Sequence, residues 1–415
     1  MSKNNKGNVF AIAIMFFLFA MISFVTGLQN PMGIIAKAQF GATNLMSQLG
    51  NAANFIAYAF MGLPAGFLLK GKGYKFTALA AIAVGFIGVG ISYLSGIFGS
   101  FAIYLLGAFV SGFSMCMLNT VVNPLLNTLG GGGNRGNQLI QLGGSCNSLA
   151  ATIVPVLAGY LIGEVTEKTQ VADVNPALFT AMGIFALAFT IILFSHIPEP
   201  ELEGEVEEKK EGTLDSIKGA LSHKNLVFGV IAIFLYVGIE VGIPNVANLY
   251  MTSADGLGLA AGVAGTLVGA YWFLMLCGRL IGGAVGGKVS SRTMMISVSS
   301  AAIIFILLGM FLPASLTVNV LEANVPIAIL FFVLCGLCTS VMWGAVFNLA
   351  VEGLGKYTSI ASGLFMVMVC GGGIVPLVQG AVADKAGYIN SYWVLIAALV
   401  YILWFALIGS RTNKE

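Results

Sequence analysis

Charge is what this sequence has little of. Only 9% of its residues are Asp, Glu, Lys or Arg, where a soluble domain carries about 25%. Hydrophobic residues make up 58% of the 415 positions. A soluble core of that length cannot hide so much apolar surface, so an ordinary cytosolic enzyme is excluded. Disorder is excluded for the opposite reason, since disordered chains are poor in hydrophobic residues. Histidine is nearly missing as well. His196 and His223 both lie beside the central polar stretch, and no metal triad can be assembled from them. Six cysteines are scattered through apolar runs. Cys335 and Cys338 form a C-x-x-C inside a hydrophobic segment with no histidine nearby, which reads as packing rather than a redox or metal pair. The run 130–136 (GGGGNRG) has no Lys-Ser/Thr and follows no strand, so it is a turn and not a phosphate loop. No nucleophile elbow and no intramembrane His/Asp dyad is present. The chain is therefore expected to be no enzyme, to need no cofactor or metal, and to bind no nucleic acid. No ATP-binding domain is visible, so uphill work would have to draw on an ion gradient.

What is there is long apolar runs. Twelve can be counted, at about 9–30, 45–69, 76–95, 99–128, 138–163, 176–196, 225–251, 261–287, 293–313, 325–350, 358–381 and 389–409. Each is near the roughly 20 residues that a helix needs to cross a bilayer. Open strands are not tolerated in lipid, so the expected fold class is an all-α membrane protein of twelve transmembrane helices. Polar stripes agree with a helical period: Ser47, Asn51, Asn54 and Tyr58 share one face, and Gln138, Gln141, Ser145, Ser148 and Thr152 share another. The first run is too long for the hydrophobic region of a cleavable signal and reads as helix 1.

The few charges orient the chain. With both termini inside, sixteen of the nineteen Lys and Arg fall on the cytoplasmic side, leaving Lys37, Lys168 and Lys385 outside. The positive-inside rule fixes this topology. The polar stretch near 197–224 holds many glutamates and divides the helices six and six. The expected organisation is an N-terminal six-helix bundle at 1–196, a charged cytoplasmic linker at 197–224 and a C-terminal bundle at 225–415. A weak internal echo supports two related halves. Residues 62–75 (GLPAGFLLKGKGYK) and 278–292 (GRLIGGAVGGKVSSR) each follow the second helix of a half and run into a basic turn. Parallel six-helix repeats are a transporter signature.

Of the 17 acidic residues, only Glu240 lies deep in an apolar run. A charge at mid-bilayer costs about 2.5–3.5 kcal/mol on insertion scales, which makes Glu240 a candidate for function. It is expected to face an internal aqueous cavity and to bind the coupling ion. Pro244, four residues on, removes a backbone hydrogen bond and should break or kink the helix there. Asn248 continues the same face. Asn119, Asn123 and Asn127 recur every four residues. Amides donate and accept at once, which suits sugar hydroxyls. Asn30, Asn54, Gln141, Trp343 and Asn348 complete the candidate substrate site, with Gln29, Tyr271 and Trp272 nearby in the same reading. No Lys or Arg reads as mid-membrane, Arg279 being placed near a cytoplasmic helix end. That favours a neutral substrate.

Several of these stretches carry a resemblance. Asn123-Pro124 in LNTVVNPLLNTLG, residues 141–155 (QLGGSCNSLAATIVP), 236–240 (YVGIE) and, most specific, 352–384 (EGLGKYTSIASGLFMVMVCGGGIVPLVQGAVAD) resemble the fucose–galactose–glucose–proton symporter branch of the major facilitator superfamily. The likeness runs over nearly the whole chain. It implies an alternating-access transporter of neutral hexoses, often proton-driven, with two pseudo-symmetric six-helix bundles. In that branch an acid stands four residues before the helix 4 Asn-Pro and another late in helix 1. Here those places hold Asn119 and Ile34. The resemblance therefore carries over no coupling ion: Glu240 does the work, sodium replaces the proton, or transport is uncoupled.

The combined expectation is an inner-membrane, cation-coupled importer of a hexose such as glucose, galactose or fucose, whose partners are the sugar, a proton or sodium ion, and the lipid bilayer. A sugar-acid permease of the sialic acid type, an uncoupled facilitator and a non-transporting sugar sensor stand as rivals.

Overall fold

A computed structural model describes residues 9–24, 44–162, 171–199, 213–253 and 256–411. Helix dominates, as it must where no water satisfies the backbone. In chain order the helices are α1 (Val9–Phe24), α2 (Asn44–Phe98), α3 (Phe101–Leu129), α4 (Gly133–Ile162), α5 (Asn175–Phe194) and α6 (Thr213–Leu221). They continue as α7 (Lys224–Thr252), α8 (Ala261–Val285), α9 (Ser291–Phe311), α10 (Ile327–Thr339), α11 (Met342–Val351), α12 (Thr358–Val367), α13 (Gly371–Ala386) and α14 (Tyr392–Trp404).

Among the described residues nine stretches are long and apolar enough to cross a membrane. One of them, Ala52–Phe98, is two rods. Gly73 (φ 79°, ψ −179°) ends the first, in a left-handed conformation that glycine alone adopts without cost. With α1 and α4, whose polar stripe makes it less apolar, the crossings number twelve, as the sequence led one to expect. Side chains such as Phe60, Leu106, Phe194 and Leu377 point outward, as lipid contact requires.

Two expectations are corrected. The segments at 325–350 and 358–381 are not single helices. The first is interrupted by a turn at Ser340–Val341, between α10 and α11, and the second by a 3₁₀ turn at Met368–Cys370, between α12 and α13. Of the break or kink expected at Pro244, the break does not occur, for α7 continues through it. Within the stretch expected as the linker lies α6. Between α9 and α10 the sequence reading assigned no element; the chain makes a hairpin of β1 (Thr317–Val320) and β2 (Ala323–Pro326), turning on Leu321 and Glu322, both with positive φ.

Packing groups the chain into two compact units. One holds Met1–Leu129, Cys146–Ala220 and Leu354–Val367; the other holds Gly130–Ser145, Leu221–Gly353 and Met368–Glu415. The first residues of α4 thus pack with α8, α9 and α11, and α12 packs with α2 and α3.

Within the first unit, small residues let backbones meet, which is how helices associate without a hydrophobic drive from water. A Cβ on Gly62 would sit 2.7 Å from the Gly363 carbonyl, and one on Gly363 would sit 2.6 Å from the Gly62 carbonyl. At the Gly73 break, Glu199 accepts from the amides of Tyr74 (2.6 Å) and Lys75 (2.8 Å). A carboxylate there meets the free N–H groups and positive dipole of a helix start. Lys70 Nζ donates to Ser216 Oγ of α6 at 2.7 Å.

Within the second unit, α13 packs on α7 through Val375 against Gly238, and Phe332 stacks on Tyr392 with ring centroids 4.1 Å apart. Asn225, at the start of α7, donates its amide to the carbonyls of Leu349, Ala350 and Glu352 and so caps the end of α11.

Candidate substrate and coupling site

Two polar clusters stand out, one in each unit. In the first, Asn54 and Tyr58 lie one turn apart on α2, Asn54 against Gly112 and Tyr58 against Asn119 of α3. The Asn119 amide donates to the Tyr58 hydroxyl at 3.0 Å. Asn123 folds back onto its own helix, donating to the Asn119 carbonyl at 2.8 Å. Asn54 differs from both. It is 4% exposed, lies against Gly112, and neither its Nδ2 nor its Oδ1 has a partner. A buried amide without partners costs about 1–3 kcal/mol relative to a satisfied one, so its retention calls for a reason.

The second cluster is built around Glu240. The carboxylate is not the lone charge that the sequence suggested. Arg279 of α8 reaches it, with Nη2 3.2 Å from Oε1, and the two side chains are only 11% and 14% exposed. The guanidinium also donates through Nη1 to the Gly144 carbonyl of α4 at 3.1 Å and through Nε to the Ser340 carbonyl at 3.4 Å. Ser340 lies at the α10–α11 break, and the neighbouring carbonyl of that break, Val341, accepts from Gln141 Nε2 at 2.7 Å. The turn keeps helical dihedrals, and the Val341 carbonyl also accepts from the Ala345 amide at 3.2 Å, so it is shared between its own helix and α4. Tyr236, one turn before Glu240, lies beside both charges without the geometry of a hydrogen bond, and packs edge-on against Trp343.

Pro244 has its effect here. It has no N–H, so the Glu240 carbonyl loses its helical donor. The Tyr271 hydroxyl supplies one at 3.1 Å, and sits 3.1 Å from Thr339 Oγ1.

The candidates from the sequence thus separate. Asn119 and Asn123 come together beside Tyr58, and Asn54 lies one turn of α2 away, against Gly112. Gln141, Glu240 and Trp343 come together, joined by Arg279, Tyr236 and Tyr271. Asn348 is bonded to Ser291 Oγ at 2.9 Å, away from Glu240, and Asn248 is exposed near the end of α7. Asn30 lies outside the described residues. Arg279 is the residue whose role sequence reasoning missed. Its signal was present: it interrupts the apolar run LMLCGRLIGGAV as Glu240 interrupts its own.

Twelve crossings with discontinuous helices and a buried ion pair define a multi-pass membrane transporter fold. The chain belongs to the Major Facilitator Superfamily, whose sequence pattern matches residues 12–376. It is 30% identical over 417 residues to a glucose/galactose transporter of Brucella abortus, covering 99% of this chain and 96% of that one. It is 22% identical over 413 residues to the L-fucose-proton symporter of Escherichia coli, covering 95% and 90%. A crystal structure of the Escherichia coli fucose:proton symporter superposes with a TM-score of 0.81 at 20% identity, covering 97% of this chain and all of that one, and shows the shared fold.

Proposed function

We propose that this chain imports a neutral hexose such as glucose, galactose or fucose across the cell inner membrane, by alternating access and coupled to a cation, with no covalent chemistry. The names of its relatives point to the sugar class. The observation that carries the reading is Asn54: a buried amide with an unused donor and acceptor suits a ligand that offers both. Asn119 and Asn123 extend that polar face, while Trp343, backed by Tyr236, offers an aromatic face near Glu240. The ion pair supports neutrality. Arg279 has donors committed to Glu240, Gly144 and Ser340, which leaves it poorly placed to receive the carboxylate of a sugar acid. Glu240 is the coupling carboxylate. One charge crossing the membrane supplies about 2.3 kcal/mol per 100 mV, enough for roughly fifty-fold accumulation. In this reading residues 1–196 and 225–415 are the two bundles, 197–224 is a cytoplasmic linker, and both termini are cytoplasmic. The distribution of Lys and Arg supports that orientation, and moving Arg279 into the membrane leaves the asymmetry intact.

The test is uptake of a panel of labelled monosaccharides into vesicles under imposed proton and then sodium gradients. Accumulation of a neutral hexose under one gradient is expected. Uptake confined to sugar acids, or no uptake of any sugar, would refute the reading.

A further inference from the structure

α9 is 21 residues long, about 32 Å, which matches the roughly 30 Å hydrocarbon core of a bilayer. Phe311, its last residue, therefore lies at a membrane boundary. There it meets Trp393 of α14 edge-on, with ring centroids 6.3 Å apart, and both rings are exposed. Aromatic side chains collect at that level. The β1–β2 hairpin begins six residues later, on the non-cytoplasmic side in the proposed orientation.

The hairpin has two unlike faces. Side chains alternate along a strand. The pairings Val318–Val325 and Val320–Ala323 therefore put four apolar side chains on one face, while Thr317, Asn319 and Asn324 take the other. A bond from the Ile327 amide to the Leu316 carbonyl at 2.8 Å extends the apolar face by one more pair. Val325 is buried, but Leu316 and Val318 on the opposite strand and Leu321 at the tip are 48%, 37% and 64% exposed. In chain order they follow the outward stripe of α9, Ile304, Leu308 and Phe311, which is exposed as well. Glu322 is the only charged residue between Arg292 and Glu352. The turn runs against local preference. Leu321 (φ 49°) and Glu322 (φ 65°) are both left-handed, where a two-residue hairpin turn favours Asn-Gly. A leucine there costs conformational energy and leaves its side chain uncovered, and strain of this kind points to a gain made elsewhere.

We propose that the hairpin is an interfacial anchor: Leu316, Val318 and Leu321 enter the lipid at the headgroup–acyl boundary, while Thr317, Asn319 and Asn324 face water. The interfacial layer is about 5–8 Å deep, less than the roughly 13 Å of a four-residue strand, so the hairpin reclines on the membrane. The occupant of the apolar face is lipid and not a second copy of the chain. That face continues a lipid-facing helix, and strands of four residues offer little edge for pairing. Burial of Leu321 in lipid offsets the cost of its backbone, and the anchor fixes the ends of α9 and α10 that the hairpin joins. The inference needs only the membrane fold and is independent of which solute moves.

The test places one nitroxide at a time on the full chain in phosphatidylcholine vesicles, through Leu316→Cys, Val318→Cys, Leu321→Cys, Asn319→Cys or Asn324→Cys. The unaltered chain, labelled in parallel, gives the background from native thiols, and circular dichroism verifies that each variant keeps its helices. Power-saturation electron paramagnetic resonance compares access of oxygen, which concentrates in lipid, with access of a nickel chelate, which stays in water. The oxygen-to-nickel ratio is expected to be several-fold higher at 316, 318 and 321 than at 319 and 324. Leu321→Asn suits the turn better and keeps the hairpin folded, yet it should lower the ratio at 318 toward that at 319. Equal ratios on the two faces, or an unchanged ratio at 318 in the Leu321→Asn background, overturn the proposal. So does shielding of 318 and 321 from both relaxants, which would mean that a second copy covers the face.

Discussion

The bond from Tyr271 to the Glu240 carbonyl exists because Pro244 cannot make it, and that dependence can be measured. Tyr271→Phe removes the donor and leaves a buried carbonyl in a helix that has no N–H to offer it. An orphaned buried acceptor costs about 1–3 kcal/mol. The same change also removes the contact with Thr339 Oγ1, a neutral bond worth about 0.5–1.5 kcal/mol net. Pro244→Ala restores the missing N–H, so that the Glu240 carbonyl closes its helical bond whether or not the tyrosine is present. Removing proline from a helix interior also gains about 3 kcal/mol of propensity, but that gain appears in both arms of the cycle and cancels. The Thr339 contribution cancels likewise. What remains is the orphan penalty, so Tyr271→Phe should cost at least about 1 kcal/mol less in the Pro244→Ala background than in the native one. Unfolding of the purified protein in mixed micelles of rising denaturing-detergent fraction, followed by circular dichroism, gives the four stabilities. Additivity within about 0.5 kcal/mol would mean that the hydroxyl does not serve the freed carbonyl, and would refute the reasoning.

Asn54→Leu should raise the unfolding midpoint while abolishing sugar binding measured by titration calorimetry, because it removes an unpaired amide of nearly the same volume; a destabilised variant that still binds sugar would refute the assigned role. Glu199→Gln keeps one acceptor oxygen but loses the charge opposite the amides of Tyr74 and Lys75, and should cost about 0.5–2 kcal/mol in the same micelle assay. Ser362 Oγ donates at 3.2 Å to the carbonyl of Thr120, the residue four before Pro124. Ser362→Ala should cost about 1–3 kcal/mol, and the penalty should shrink when Pro124→Ala restores the donor.

How much of this could be read from the chain depends on which physical term decides each feature. The crossings were legible because lipid forces every backbone group to bond within its own segment, so hydrophobic length alone reports a helix. Even the division of α2 was visible, since Gly73 lies in a basic, glycine-rich turn. The breaks at Ser340–Val341 and Met368–Cys370 were not. Both lie inside apolar runs, and an apolar side chain says nothing about whether its own carbonyl is bonded to the next turn or to a neighbour. The break at Ser340–Val341 owes its acceptors to partners far away in sequence, Arg279 and Gln141. The three glycines that follow Met368–Cys370 were a local hint, but glycine in a membrane helix equally signals close packing.

The site shows the same division between what is local and what is not. Glu240 was found because its cost is a property of one position: an acid in an apolar run demands compensation wherever the chain goes. The form of that compensation is a property of two helices, and distance along the sequence hides it. Arg279 was counted with the loop cations because the basic turn after α8 begins only a few residues later, yet its own neighbours, Leu276 to Val285, are as apolar as those of Glu240. One intramembrane acid, when ionised without an equally buried base, would leave the bundle with an unbalanced charge. The cost that singled out Glu240 therefore called either for a bound proton or for a cation within reach, and among the basic residues Arg279 is the one that lies in an apolar run of the same kind. Pro244 shows the same limit: the donor it lacks is visible in the sequence, whereas the tyrosine on the next helix that supplies the bond, in a helix that runs on unbroken, is not.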